Sequence, residues 1–243
     1  MRRWALPGVL ALLQVGYPLV SAETRATLVV VIVLVGFAAT VNHALTTQGV
    51  RQTAALLAIT TVGGFAVEAI GVATGVPFGR YAYTDALGPR LLGVPLVIPL
   101  AWTWMAGPAW LAAGRLVRSR PARVAVGAVG LAAWDLFLDP QMVAEGYWRW
   151  PDPTPALPGV PGVPVTNYLG WLVVAAVMMA LLSRSKLREP ADDAPMLVLY
   201  LWTYASSVVA HALFLGLPGS AAWGAVGMGV VALPLARRAR AWF

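Results

Sequence analysis

Long apolar runs dominate this sequence and constrain its fold more than any other feature. A helix needs roughly 20 apolar residues to cross a bilayer, and most of the runs approach that length. We count eight of them, at residues 5–20, 27–45, 54–76, 94–117, 122–138, 168–182, 195–217 and 221–236. The pattern predicts an all-α integral membrane protein with about eight transmembrane helices, or seven if the first run is a cleaved secretory signal.

The composition excludes a water-soluble globule. Of the 243 residues, 59% are hydrophobic and 11% are charged, whereas about 25% of the residues in a soluble domain are charged. A transmembrane β-barrel alternates apolar and polar residues, but residues 28–39 are apolar throughout. Eight crossings occupy most of the chain, so we predict a single polytopic membrane domain over residues 1–243.

The basic residues predict the orientation of the helices. All but four of the 17 lysines and arginines lie in segments that an eight-helix pattern places on the same side as both termini. Positive charge collects on the cytoplasmic side, so we expect cytoplasmic termini and external loops at residues 77–93 and 140–167. The net charge of +7 then reflects topology, and we expect no nucleic-acid partner. The predicted location is the cell membrane of a bacterium or archaeon.

Few ionisable side chains lie within the apolar runs or at their outer ends, apart from His43 and the arginines at the cytoplasmic ends. Each is a candidate functional residue, because an ionisable group inside a membrane helix costs roughly 2.5–3.5 kcal/mol on insertion scales. In the predicted topology they all lie in the outward halves of their helices, beside residues 78–83. The sequence therefore predicts that they converge on one pocket. They are Glu68, Asp135, Asp139 and His211.

The two aspartates are spaced by four residues, which places both carboxyl groups on one helix face about one turn apart. We expect Pro140 to end that helix. Asn167 and Tyr168 open the sixth run on the same side of the membrane. In the alternative interpretation each acid is satisfied separately, with Glu68 paired to Arg80 and Asp135 accepting a tryptophan N–H.

Several reaction classes find little support in these residues. The chain has no cysteine, which excludes thiolate metal sites and cysteine nucleophiles. It also has no glycine-rich phosphate loop, and Ser207 and His211 lack the strand-to-helix elbow of a hydrolase. A magnesium diphosphate site would need a second acidic cluster, but Asp192 and Asp193 are predicted to lie across the membrane. We expect neither a metal nor a cofactor.

Acid–base chemistry on an apolar substrate remains. Burial disfavours the charged form of a carboxyl group, and two carboxyl groups one turn apart resist double ionisation, so the pair can hold a proton near neutral pH. Transfer of that proton to a terminal isopropylidene group gives a tertiary carbocation, which water or an internal double bond then captures. The expected partners are a polyene or isoprenoid substrate and membrane lipid.

Three sequence blocks together resemble the CruF-type carotenoid biosynthesis protein family. They are EAIGVATGVPFGRYAY at residues 68–83, WDLFLDPQM at 134–142 and GVPVTNYLGW at 162–171. The resemblance implies a membrane carotenoid hydratase that adds water to the terminal double bond of an acyclic end group. A carotenoid or terpenoid cyclase using the same cation is the nearest alternative. A proton-coupled transporter or a lipid-binding membrane module is the alternative from another class.

We assign the candidate roles from position along the helices. Asp135 is the predicted general acid because it lies one turn deeper than Asp139, which would orient or deprotonate the nucleophile, with Glu68 as the third catalytic candidate. The candidate substrate-binding residues are Arg80, Tyr81, Tyr83, Trp134, Asn167, Tyr168 and His211. We interpret the tryptophans of the fourth run as packing residues, namely Trp102, Trp104 and Trp110.

The predicted topology can be tested with reporter fusions. A reporter placed after Leu182 and one placed within residues 151–160 should lie on opposite sides of the membrane, because one helix separates them. Activity of a phosphatase reporter and of a fluorescent reporter at both positions measures this. Two fusions on the same side would contradict both the topology and the external position of the pocket.

Overall fold

Helices account for most of the computed structural model, which describes residues 2–185 and 192–239. Two of the long helical segments are composite. Helix α3 passes through a π-helical turn, Ala58–Val62, into α4, and α6 bends at residues 133–134 into α7. The helices are α1 Arg2–Gly16, α2 Ala22–Gln48, α3 Val50–Leu57, α4 Gly63–Thr74, α5 Ile98–Leu116, α6 Arg120–Ala132, α7 Asp135–Ala144, α8 Val165–Leu182, α9 Ala194–Leu213 and α10 Pro218–Ala239.

Within the described residues, six helical segments are long and apolar enough to cross a membrane. They are α2, α3–α4, α6–α7, α8, α9 and α10. Each of the eight apolar runs coincides with a helical segment, and the all-α class is confirmed. The exact number of crossings and the side on which the termini lie stay predictions.

Helix α5 lies at the centre of the bundle. Every residue from Ala101 to Ala113 is buried, as expected of a helix that is apolar on all sides. It packs against α2, α6 and α9. Gly36 of α2 permits a close approach, because a Cβ there would lie 2.6 Å from the Trp104 ring. The outer faces of the bundle remain apolar and exposed, as at Val173 and Val226, which suits a lipid surround.

Two loops, residues 75–97 and 145–164, lie together at one end of the bundle, which we call the loop end. Strands β1 (Ala82–Tyr83) and β4 (Trp148–Arg149) pair antiparallel and so join the two loops. Each loop also contains a small antiparallel pair of its own. These are β2 (Arg90–Leu91) with β3 (Val94–Pro95), and β5 (Ala156–Leu157) with β6 (Val160–Pro164).

The prediction that Pro140 ends its helix is wrong, since α7 continues to Ala144. A proline has no N–H, so the carbonyl of the residue four positions earlier loses its helical donor. That carbonyl belongs to Leu136, and the Ser220 hydroxyl of α10 donates to it at 2.7 Å. A donor from a neighbouring helix thus lets α7 run through the proline and carry its acidic face unbroken.

This compensation predicts a coupling between two substitutions. Ser220→Ala should lower the free energy of unfolding by about 1–3 kcal/mol, because it leaves a buried carbonyl unsatisfied. In a Pro140→Ala background the same substitution should cost less, since an alanine at this position supplies the missing N–H. Thermal unfolding in detergent measures both values. Ser206→Ala is the control, because Ser206 donates to Thr203 within its own helix; equal losses in both backgrounds would contradict the explanation.

Candidate active site

Two aspartates and an asparagine form the centre of the site. Asp135 begins α7, and Asp139 lies one turn later on the same face. Asn167, in the first turn of α8, donates its Nδ2 amide hydrogens to Asp135 Oδ2 at 2.7 Å and to Asp139 Oδ2. All three side chains are buried. One amide group therefore holds the two carboxyl groups next to each other.

The other two aspartate oxygens differ in their surroundings. Asp139 Oδ1 accepts a hydrogen bond from Trp148 Nε1 of β4 at 3.1 Å. Asp135 Oδ1 is buried and has no hydrogen-bond partner among the described residues. Donors thus meet both oxygens of Asp139, as suits a carboxylate. Asp135 keeps one oxygen free, as suits a carboxyl group that carries a proton there.

Glu68 of α4 is the third buried acid, and three donors surround it. The Tyr81 and Tyr83 hydroxyls lie 2.6 and 2.8 Å from its Oε2 atom, and Trp102 Nε1 lies 3.0 Å from Oε1. An ionised carboxylate only accepts hydrogen bonds, so this surrounding fits an ionised Glu68. The alternative interpretation, in which Arg80 pairs with Glu68, is wrong because Arg80 is exposed and the tyrosines and Trp102 occupy the carboxylate.

The loops supply Tyr81, Tyr83 and Trp148 because they fold back over the ends of the helices. Gly75 ends α4 with a positive φ of 81°, which turns the chain back toward the bundle. Gly170 of α8 allows the loop to lie on that helix, since a Cβ there would come within 2.6 Å of the Pro77 carbonyl. Trp150 Nε1 then donates to the Phe78 carbonyl at 2.9 Å. The β1–β4 pair holds Tyr83 and Trp148 side by side.

These residues border a cavity, which we call the acidic pocket. Glu68, Asp139 and Asn167 line it, together with Val29 and Val33 of α2. Seven aromatic side chains contribute to the wall, and among them the Trp102 and Trp171 rings stack with their centroids 3.8 Å apart. The aromatic lining consists of Phe78, Tyr81, Tyr83, Trp102, Trp148, Trp150 and Trp171. Asp135 lies behind this lining and does not contribute to it.

Four of the candidate substrate-binding residues do not line the acidic pocket. Arg80 is exposed at the loop end. His211 and Trp134 line a different cavity on the other side of α7. Tyr168 is half-buried and its hydroxyl has no hydrogen-bond partner among the described residues. The convergence inferred from the topology therefore extends to Glu68, Asp139 and Asn167 with both tyrosines, but not to the histidine.

Sequence reasoning missed the tryptophans of the site. Trp102 was interpreted as a packing residue, yet it donates to Glu68. The alternative interpretation predicts that a tryptophan N–H binds Asp135. A tryptophan N–H does bind one of the two aspartates, but the tryptophan is Trp148 and the aspartate is Asp139. The available signal was that Trp148 and Trp150 follow the two aspartates closely, in the loop that leads to Asn167. Indole N–H groups are donors that an apolar wall can carry, so a buried carboxylate favours them.

The second acidic pair is distant from this site. Asp193 precedes α9 at the end of the bundle opposite the loops, where the Arg115 guanidinium donates to both its oxygens at 2.6 and 2.7 Å. Nowhere in the described part of the chain do three or more His, Cys, Asp and Glu side chains form a group that could hold a metal ion.

Burial raises the pKa of Tyr81 and Tyr83 well above that of a free tyrosine, and the neighbouring Glu68 carboxylate raises it further. Both hydroxyls therefore keep their protons, and remain donors to Glu68, under conditions in which an exposed tyrosine ionises.

The chain matches the model of a protein family described as carotenoid biosynthesis protein over residues 28–234. A bisanhydrobacterioruberin hydratase from Haloarcula japonica is 33% identical to it over 157 residues, which are 61% of this chain and 52% of that protein. The chain thus spans about half the length of this curated relative. No solved structure matches the chain. The family match includes the three acids of the site, Glu68, Asp135 and Asp139, together with Asn167.

The tyrosine environment predicts how stability depends on pH. Unfolded tyrosines ionise near pH 10, whereas Tyr81 and Tyr83 stay protonated in the folded protein, so folding is fully favoured below pH 10 and weakens as the pH rises above it. A Tyr81→Phe/Tyr83→Phe variant should lose less stability above pH 10, by about 2.7 kcal/mol per pH unit for two groups. Unfolding in detergent from pH 9 to 11 measures the slopes; identical slopes would exclude the effect.

Proposed function

We propose that this chain, which belongs to the carotenoid biosynthesis protein family, is a membrane enzyme that adds water to the terminal double bond of an acyclic carotenoid end group. The observation that carries the proposal is a buried pair of carboxyl groups, bridged by Asn167, at the edge of an aromatic pocket. The name of the haloarchaeal relative, a hydratase, supports the same reaction. The haloarchaeal origin of this relative and the six apolar helices of the chain support a location in the cell membrane.

The aspartate pair supplies the proton. Two buried carboxyl groups joined by one amide cannot both carry a negative charge without a large penalty, so the pair holds one proton. Asp139 faces the pocket, and Asp135 stands behind it with its unbonded Oδ1 atom. Asp135 thus acts as the proton store and Asp139 as the group through which the proton reaches the alkene carbon.

Glu68 and the aromatic wall stabilise the cation that results. Protonation of an isopropylidene group places a positive charge on a tertiary carbon. Hydrogen bonds cannot stabilise this charge, because the carbon carries no N–H or O–H group. A fixed carboxylate and the faces of aromatic rings both attract such a charge. The hydrogen bonds from Tyr81, Tyr83 and Trp102 stabilise the ionised form of Glu68 without supplying a countercharge. The acidic pocket therefore separates the proton donor from the anion that stabilises the product of its transfer.

Water completes the reaction. Its oxygen forms a bond to the tertiary carbon, and the proton that it then releases returns to the aspartate pair. The net change is the addition of one water across one double bond. No electron is gained or lost, so the reaction needs no redox cofactor.

A cyclase is the second candidate, because the lining of the acidic pocket is mainly aromatic and aliphatic. In such surroundings an internal double bond of the polyene competes with water for the cation. Expression in hosts that produce lycopene, γ-carotene or fifty-carbon polyenes, followed by mass analysis of the pigments, distinguishes these candidates. Hydration adds the mass of one water, whereas cyclisation leaves the mass unchanged. A chain that only binds or transports the polyene would leave the pigment unaltered.

Removing the stored proton should abolish the reaction. Asp135→Asn preserves the shape of the side chain and supplies amide hydrogens to Asp139, which keeps Asp139 ionised. We expect the rate of product formation to fall by about 10²–10⁴, the usual effect of losing a general acid. Pigment analysis and a polyene-binding assay on the same membranes measure the two effects.

Asp152→Asn is the matched control, because Asp152 is exposed in the loop before α8. It should leave the rate unchanged. Binding of the polyene should persist in the Asp135→Asn variant. Normal turnover by that variant would remove Asp135 from the mechanism.

A further inference from the structure

Helix α7 separates the acidic pocket from a second cavity. Asp135 and Asp139 occupy one face of the helix, whereas Phe137 and Gln141, also spaced by four, occupy another. The second face borders a cavity among α1, α2, α7 and α9, which we call the second chamber. Leu138 and Met142 line both cavities, as do Val29 and Val33 of α2. Only a thin apolar wall therefore divides them.

The second chamber is polar toward the loop end. Tyr17, just beyond α1, is 5% exposed, and its hydroxyl has no hydrogen-bond partner among the described residues. Gln141, His211 and Ser207 line the same cavity. Among the described residues that line it, none is acidic. The chamber thus offers hydrogen bonds to a small polar molecule but no acid of its own.

The hydrogen bonds of His211 determine which groups it offers. The Ser220 hydroxyl uses its hydrogen on the Leu136 carbonyl, so it must accept from His211 Nδ1, 2.8 Å away. The imidazole therefore carries its hydrogen on Nδ1 and presents a lone pair at Nε2. The Gln141 side-chain amide lies 3.2 Å from that atom and donates to its lone pair when its NH₂ group is turned toward it. The Tyr17 and Ser207 hydroxyls, which line the same cavity, remain to supply the donor and acceptor that a water molecule requires.

We propose that the second chamber holds the water that captures the carbocation, an inference that rests on the proposed hydration. The acidic pocket must exclude water until the cation forms, because water around the aspartate pair would weaken its hold on one proton. Water stored beyond Leu138 and Met142 meets this condition and needs to move only past two side chains. Its oxygen then bonds to the tertiary carbon, and the proton that it loses passes to the aspartate pair.

Filling the second chamber should separate protonation from hydration. We would purify the full chain and supply lycopene, whose ends are isopropylidene groups, in D₂O. A cation that water does not capture loses a proton and returns to unhydrated polyene that carries deuterium. The ratio of hydrated product to deuterated, unhydrated polyene therefore measures the supply of water, independently of the rate of protonation.

Ala210→Phe places a ring in the second chamber from α9. We expect it to lower this ratio by about tenfold, since it displaces ordered water, while deuterium incorporation continues. Val209→Phe is the matched control, because the neighbouring Val209 side chain is exposed on the outer face of α9. It should leave the ratio unchanged.

Tyr17→Phe tests the polar lining without changing the volume. We expect a fall in the ratio of about threefold, the effect of one lost hydrogen bond. Tyr204→Phe is its control, because the Tyr204 hydroxyl donates to the Ala225 carbonyl away from both cavities. That variant should behave as the wild type.

The outcomes distinguish the two proposals. If the wild type forms no hydrated product from lycopene or from fifty-carbon polyenes, the proposed function fails and the water assignment fails with it. If the wild type hydrates but Ala210→Phe leaves the ratio unchanged, only the water assignment fails. An equal loss of hydration and deuterium incorporation would also overturn it, because the chamber would then hold part of the polyene.

Discussion

The burial of three carboxyl groups inside an apolar bundle is the constraint on which the loop end of this protein depends. Each buried oxygen needs a hydrogen-bond donor or a proton, and the helices that carry Glu68, Asp135 and Asp139 offer few. The donors come instead from Tyr81 and Tyr83, from Trp148 and from Asn167. The hydrogen bonds from the loop side chains to the buried acids therefore hold the loops against the ends of the helices.

The same constraint explains why the loops form short strands. A tyrosine on β1 and a tryptophan on β4 must reach two different acids, and the antiparallel pair fixes the distance between them. Both aromatic side chains then also close the acidic pocket. The same aromatic side chains therefore donate hydrogen bonds to the acids and form the wall of the pocket. A substitution at one of them changes both the hydrogen bonding and the shape of the site.

Much of the fold follows from the sequence, because lipid demands long apolar helices and the chain supplies a run for each helical segment. The meeting of Glu68, Asp139 and Asn167 also follows, since the topology places them at one end. The sequence does not reveal that His211 faces the other side of α7, because that depends on the rotation of a helix after a bend at residues 133–134. Nor does it reveal that Ser220 compensates for Pro140 by donating to the Leu136 carbonyl, 84 positions away in the sequence.

Asn167 follows the two aspartates that it bridges by about 30 residues, and this has a consequence for biosynthesis. A ribosome completes α6 and α7 before it makes α8, so both aspartates reach the membrane without their amide donor. The segment Arg120–Ala144 has lower mean hydropathy than the two earlier spans, Ala22–Gln48 and Val50–Thr74, and acids without their amide donor weaken its insertion further. Its insertion therefore becomes more favourable once α8 supplies Asn167.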